Sequence, residues 1–259
     1  MNLNLQFQQE IQERIKGLAI DPLIKQSSLE WINKISHHKW AYNFSWMGRP
    51  AIQFPNDSWA MQELIWKVKP DLIIETGIAH GGSLIMYSSF LDLLDLCEAI
   101  ERGGVVDPSK TNRRVLGVDV DIRSHNRKEI EKHPMFNYIE MLEGSSLSTQ
   151  IKTQVTKFAS NYTKVIVCLD SNHTHQHVLD ELKFYSKFVN LNSYCVVFDT
   201  IIEDMPNSLS QDRPWGKGNN PRTAVNAFLK SNQSFQVDEE IHNKLGITVA
   251  PHGFLKRIK

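Results

Sequence analysis

The sequence predicts an α/β fold: a seven-stranded, mostly parallel sheet wrapped by helices, with an antiparallel C-terminal end and an N-terminal helical cap. Three observations carry this. Five short apolar runs rich in β-branched residues recur after residue 70, spaced by helix-length segments, as in a parallel sheet buried on both faces. The first run ends in a glycine-rich turn, "ETGIAHGGS", at the place where such sheets bind ligands. The tail "FQVDEEIHNKLGITVAPHGFLKRIK" reads as two strands with a Gly turn, which would close the sheet antiparallel.

Residues 1–70 read as a helical and lid region, and 71–259 as the sheet domain. "QFQQEIQERIKGL" has apolar positions at helical spacing. "DSWAMQELIWKVKP" opens with Asp57/Ser58 as a cap and stops at Pro70. Between them "WAYNFSWMGRPAIQFP", broken by Gly48, Pro50 and Pro55, is an ordered loop or lid. The strands then follow in order: "DLIIET", "RRVLGVDVD", "FNYIEMLEGSS", "KVIVCLDSN" and "SYCVVFDTI". "SLIMYSSFLDLLDLCEAI", "THQHVLDELKFYSKFV" and "TAVNAFLKSN" read as helices. "IIEDMPNSLSQDRPWGKGNNPR" is a long irregular stretch, and inside a compact domain such a stretch is usually functional.

The totals exclude several function classes. Lys+Arg and Asp+Glu both number 29, so there is no electrostatic footprint for nucleic acid and no polybasic membrane signal. No apolar run approaches a membrane span and the N-terminus lacks a signal core, so a cytoplasmic protein without membrane insertion is expected. Cys97, Cys168 and Cys195 are widely spaced and read as reduced thiols. The paired N-terminal helices could form the interface of a homo-oligomer.

The glycine turn is the first site signal. Its spacing is G-x-x-x-G-G, not the dinucleotide G-x-G-x-x-G, and no P-loop lysine follows. Gly77, Gly81 and Gly82 would let the backbone approach a ligand, and Glu75 at the strand end would repel a pyrophosphate but accept an amine. That combination suits S-adenosylmethionine, with its ammonium and sulfonium. Asp119, ending the second run, is placed to accept from ribose hydroxyls, and Glu143 to Ser146 lie near where an adenine edge would fall.

A second signal follows the fourth and fifth runs. Asp170 and Asp199 end neighbouring strands, within reach of one hard divalent cation such as Mg²⁺. His173, three residues after Asp170, is a candidate base for an acceptor hydroxyl. His173 and His177 also have the i, i+4 spacing of a zinc pair, although His175 and His177 read more simply as surface or capping residues.

Taken together, "GRPAIQFPNDSW", "IIETGIAHGGSL", "VLGVDVDIR", "LEGSS", "CLDSNHTHQHVLDEL", "FDTIIEDMP", "RPWGKGNNPRTAV" and "GITVAPHGFLKR" resemble the cephalosporin hydroxylase / rhamnosyl O-methyltransferase family. These are Rossmann-like class I methyltransferases that use S-adenosylmethionine and a divalent metal. The resemblance runs from about residue 45 to the end. It implies Glu75, Thr76, Gly77, His80, Gly81 and Ser83 around the methionine part, Asp119 on the ribose, Gly144 and Ser145 beside the adenine, and Asp170 between cofactor and metal. It implies Asp170 and Asp199 as metal ligands, His173 as the base, and a loop from Arg213 to Arg222 over the acceptor. Where related members have two adjacent acidic or amide residues after the fifth strand, this chain has Phe198 before Asp199 and Thr200 after it. Asp204 or Glu203 could supply the third ligand, or water could. Trp46, Arg49 and Trp215 are candidate sugar contacts. The expected activity is transfer of a methyl group to a hydroxyl of a sugar, glycan or natural-product intermediate. The alternatives are an NAD(P)-linked oxidoreductase and a non-catalytic module that keeps only the cofactor pocket.

Overall fold

Two helices open the chain: α1 (Leu3–Ile20), then α2 (Pro22–Ser36), whose first turn is capped by the Asp21 carboxylate accepting from Leu23 N. The computed structural model describes residues 3–259, so Met1 and Asn2 of the expected N-terminal segment lie outside it. The expected lid is a short 3₁₀ turn and a tight hairpin, β1 (Ser45–Trp46) and β2 (Arg49–Pro50), joined through Met47 and Gly48. Both of those residues have positive φ, as a mirror-image hairpin turn requires.

Helix α3 (Pro55–Val68) starts on Pro55, one turn earlier than the sequence suggests, because proline is preorganised for the first helical position. Asp57 is therefore not its cap. It is fully buried, accepts from Thr248 Oγ1 and from Val249 N at 2.9 Å, and its carboxyl is pushed up to about 7 by burial.

The main sheet follows: β3 (Leu72–Thr76), α4 (Gly82–Arg102), β4 (Arg114–Asp119), α5 (Ser124–Glu131), β5 (Ile139–Glu143), α6 (Thr149–Ala159), β6 (Val165–Leu169), α7 (His175–Tyr185), β7 (Tyr194–Val197), α8 (Pro221–Ser231), β8 (Phe235–Val237), α9 (Glu239–Leu245) and β9 (Phe254–Arg257). Strand order is β5-β4-β3-β6-β7-β9-β8, with β5 to β7 parallel and β9 antiparallel to both neighbours. This is the seven-stranded sheet with an antiparallel end that the sequence predicts.

The tail departs from expectation in one respect. β8 and β9 are neighbours, but α9 and an irregular turn separate them, where the sequence suggested a simple strand–Gly–strand hairpin.

Both faces of the sheet are covered. On one, Ile73, Val115, Ile166 and Val196 pack with Leu84, Tyr87 and Leu91 of α4 and with Met61 and Ile65 of α3. On the other, Leu72, Ile74, Val167 and Cys195 pack with residues of α6, α7 and α8. Strands β3, β6 and β7 are buried along their whole length, which explains their mostly apolar sequence, broken only by Glu75 and Thr76 at the end of β3. Among the described residues no helix is long and apolar enough to cross a membrane.

Candidate functional site

The strand order reverses between β3 and β6, and the first cleft opens there, outside the carboxyl ends of the strands. It measures about 140 Å³ and is lined by, among others, Gly77, His80, Ser83, Asp119, Asp170 and Gln53.

The glycine turn on its floor is held by protein on every side. Gly77 N donates to Val118 O, and Asp170 N donates to Thr76 O. A Cβ on Gly77 would sit 2.1 Å from the Asp170 carbonyl oxygen, at a φ of +93°. Gly81, at φ +81° and capping α4, would meet Ile130, while a Cβ on Gly82 would lie 2.2 Å from Pro50 O. The sequence reading gave these glycines to a ligand. Their missing side chains let the turn touch the backbone at Asp170 and Pro50, and Gly77 and Gly82 also line the cleft.

Asp119 is the turn's anchor. Its Oδ2 accepts from Ile78 N at 2.7 Å and Ala79 N at 3.2 Å, and its Oδ1 from Asp121 N at 3.1 Å. It still lines the cleft, and a carboxylate has lone pairs beyond those three bonds. Arg49 braces the same turn. Its guanidinium donates to His80 O and to Asn126 Oδ1, while Asn126 Nδ2 donates to Ala79 O at 3.0 Å. Arg49 is thus a bracing residue, where a sugar contact was expected. Trp46, also a candidate sugar contact, packs edge-on against Phe90 and donates to Ser89 Oγ.

Glu75 does not line the cleft. It lies fully buried beneath Ser83, whose Oγ donates to its Oε2 at 2.9 Å, and its Oε1 has no partner among the described residues. Burial raises its carboxyl to about 8, with Asp119 adding to the shift. A buried acid with an unpaired oxygen, one side chain below the cleft, fits a cationic ligand above it. Thr76 is likewise buried under the floor.

Gly144 and Ser145 stand beyond β5 outside the cleft. Gly144 N donates to Asp119 O, and a Cβ there would press on Ile151.

On the β6/β7 side the ligand atoms of Asp170, His173 and Asp199 all lie within 4.8 Å of one another. His173 Nε2 is 3.3 Å from Asp199 Oδ2. Asp199 holds a left-handed φ of 56°, uncommon for a residue with a Cβ and often found where a side chain must be aimed. Burial and the neighbouring Asp199 push the Asp170 carboxyl well above the usual range. Two partly buried carboxyls held this close are stabilised by a cation between them, so the donor set fits a divalent metal.

The expected third ligand is elsewhere. Asp204 pairs with Arg222 at 2.9 Å, and Glu203 accepts from Gly218 N and Asn220 Nδ2, pinning the 213–222 loop. The group that joins the two aspartates is His173. Phe198 points into the core at 2% exposure. No zinc-type pair forms, because His177 turns to Ser146, Ser171 and Glu181, and His175 to Thr223. Trp215 stands edge-on to His173 with ring centroids 5.3 Å apart, and Arg213 lies over Trp215. The irregular stretch therefore reaches the cluster, as its length suggested.

One cleft residue escaped the sequence reading. Gln53 is buried at 6% exposure, lines the cleft, and neither its Nε2 nor its Oε1 has a hydrogen-bond partner among the described residues. An unpaired amide in a cleft is costly unless a ligand completes it. Its only signal was its place inside "GRPAIQFPNDSW".

Comparison with known proteins identifies the family. A model of the rhamnosyl O-methyltransferase/CmcI family matches residues 38–258. A rhamnosyl O-methyltransferase of Mycobacterium tuberculosis is 30% identical over 230 residues, covering 85% of this chain and 83% of that protein. The Mycobacterium leprae enzyme of the same name is 28% identical over 229 residues, with 85% and 89% covered. Among solved structures, an apo form of CmcI superposes with a TM-score of 0.53 at 15% identity over 84% of this chain and 77% of that one. A CmcI structure with Mg and SAM gives 0.53 at 16%, over 84% and 78%. These two share the fold. With the family match spanning nearly all of the described sheet domain, the chain belongs to the rhamnosyl O-methyltransferase/CmcI family.

Proposed function

We propose that the protein is an S-adenosylmethionine-dependent O-methyltransferase acting on a sugar hydroxyl. One observation carries the reading: Asp170 lines the glycine-turn cleft and also belongs to the Asp170/His173/Asp199 cluster, so donor and acceptor sites would share a wall. The names of the mycobacterial relatives and the Mg and SAM of the CmcI structure agree with that assignment.

In the reaction the sulfur–methyl bond breaks as the acceptor oxygen forms its bond to the methyl carbon, leaving S-adenosylhomocysteine. The acceptor's hydroxyl proton goes to the ring nitrogen of His173 that does not face Asp199. The carboxylate of Asp199, 3.3 Å away, stabilises the imidazolium that results. A divalent cation held by Asp170 and Asp199 would polarise the hydroxyl as a Lewis acid. Trp215 shields His173 on one side, which favours a dry, aligned complex. Gln53 and Asp119 are the polar cleft groups assigned to the cofactor, with Ser83 and the Glu75 beneath it near its ammonium.

The test is calorimetric titration of S-adenosylhomocysteine into chelator-treated protein, repeated with Mg²⁺, followed by methyl transfer from labelled donor to nucleotide-linked and glycan-linked deoxysugars. Micromolar binding and metal-dependent labelling are expected. Absence of binding in both titrations overturns the reading; binding without labelling of any acceptor would favour a non-catalytic pocket.

A further inference from the structure

Far along the chain from that cleft, a second set of metal-ligating side chains converges. Glu239 and His242 lie one turn apart on α9, and spacing of three puts both on one helix face. His252 reaches them from the turn before β9, where it adopts a left-handed φ of 59°. The Nδ1 of His242 lies 3.1 Å from Glu239 Oε2, and the Nδ1 of His252 lies 3.0 Å from Oε1. The two rings are 4.4 Å apart between centroids, and one ligand atom from each residue falls within 4.8 Å of the others.

We propose that Glu239, His242 and His252 bind a divalent metal of the zinc class. Two imidazoles and one carboxylate are a borderline-soft donor set, suited to Zn²⁺ rather than to Mg²⁺. The geometry is close to ready. Ligand atoms in a tetrahedral zinc site stand roughly 3.3 Å apart, given zinc–ligand bonds of about 2.0 Å. The carboxylate oxygens are 3.0 and 3.1 Å from the two nitrogens, a different oxygen facing each ring. Glu239 is half exposed, which leaves a solvent path and room for a water as fourth ligand.

The His252 Nδ1 is hydrogen-bonded to Glu239 Oε1, while the buried His242 Nδ1, 3.1 Å from Oε2, has no hydrogen-bond partner among the described residues and is left to be completed by a metal.

Such a metal would fasten α9 to the segment 248–252, which is itself tied to the Asp199 turn. Thr200 Oγ1 donates to Pro251 O at 2.6 Å and Ile201 N to Val249 O at 3.1 Å. Its role would be structural, and it does not depend on the methyltransferase reading.

The experiment uses untagged full-length protein carrying Asp170→Asn and Asp199→Asn, which silences the cleft cluster. Co²⁺ is titrated as a spectroscopic probe and then displaced with Zn²⁺. Expected are one equivalent of Co²⁺ with visible ligand-field bands, stoichiometric displacement by Zn²⁺, and a higher melting temperature with Zn²⁺. Adding His242→Gln or His252→Gln should abolish the bands and weaken Zn²⁺ by about a hundredfold or more, the share of one ligand. Glu239→Gln, at a half-exposed position, should weaken it about tenfold and decides the matter if a histidine variant does not fold, as judged by circular dichroism. Absence of bands in the parent protein, or unchanged affinity in the folded variants, overturns the proposal.

Discussion

The backbone of Gly77 lies against the carbonyl of Asp170 so closely that no Cβ fits between them. The glycine turn and the Asp170 end of the Asp170/His173/Asp199 cluster are thereby built on one contact just past β3 and β6. Replacing Gly77 by alanine should break that contact and force a φ of +93° on a residue with a side chain. We expect a loss of about 2–4 kcal/mol, read as a melting temperature several degrees lower by calorimetry.

His173→Gln should lower kcat by roughly 10²–10⁴, the usual share of a general base. S-adenosylhomocysteine affinity by calorimetry should stay within about threefold, because His173 is not among the residues lining the cofactor cleft. An unchanged kcat would place the base elsewhere.

Asp170→Asn should remove Mg²⁺-dependent turnover while leaving cofactor affinity within a few fold, which paired Mg²⁺ and S-adenosylhomocysteine titrations would measure. An equal collapse of cofactor binding would show that the carboxylate serves the cleft first.

Glu75 gives the stability a pH dependence of known sign. Its folded carboxyl is raised from 4.5 to about 8. Between those values the unfolded chain releases its proton first, so this group lowers stability as pH rises, by up to ~1.4 kcal/mol per pH unit. Below about 4.5 the effect vanishes. Glu75→Gln should therefore match the parent at pH 4.5 and melt higher at pH 8. Asp57, raised to about 7, adds a slope of the same sign, which the variant keeps.

Loss of the Gln53 amide tests a residue the sequence did not single out. Gln53→Leu should weaken S-adenosylhomocysteine by about tenfold, one hydrogen-bonded group's worth, while the melting temperature of the free protein holds or rises. Unchanged affinity would make Gln53 a purely structural oddity.

The sheet was legible in the sequence because β3, β6 and β7 are buried on both faces, and their short, β-branched apolar runs are spaced by helix-length segments. The pairing of Asp170 with Asp199 was legible for a related reason, since parallel neighbours end on one rim. Three features were not. Asp57 looked like a cap because acids open helices, but a tertiary bond to residues 248 and 249 overrides that local preference. Helix α9 is short and polar, and nothing in "EEIHNKL" outweighs the strand-like residues around it. Asp204 stood at a suitable offset for a ligand, yet Arg222, brought near by α8, claims it.

The loop 213–222 is fastened differently from the strand ends it overhangs. Its hold comes from Glu203 and Asn220 hydrogen bonds, a Gly216–Asn219 bridge and the Trp215 edge on His173. None of these bonds runs through β3, β4 or the glycine turn. Under the proposed function, acceptor choice and donor grip would be separable parts of one polypeptide: exchanging the loop for that of a relative would offer a new sugar to the same unmoved methyl group.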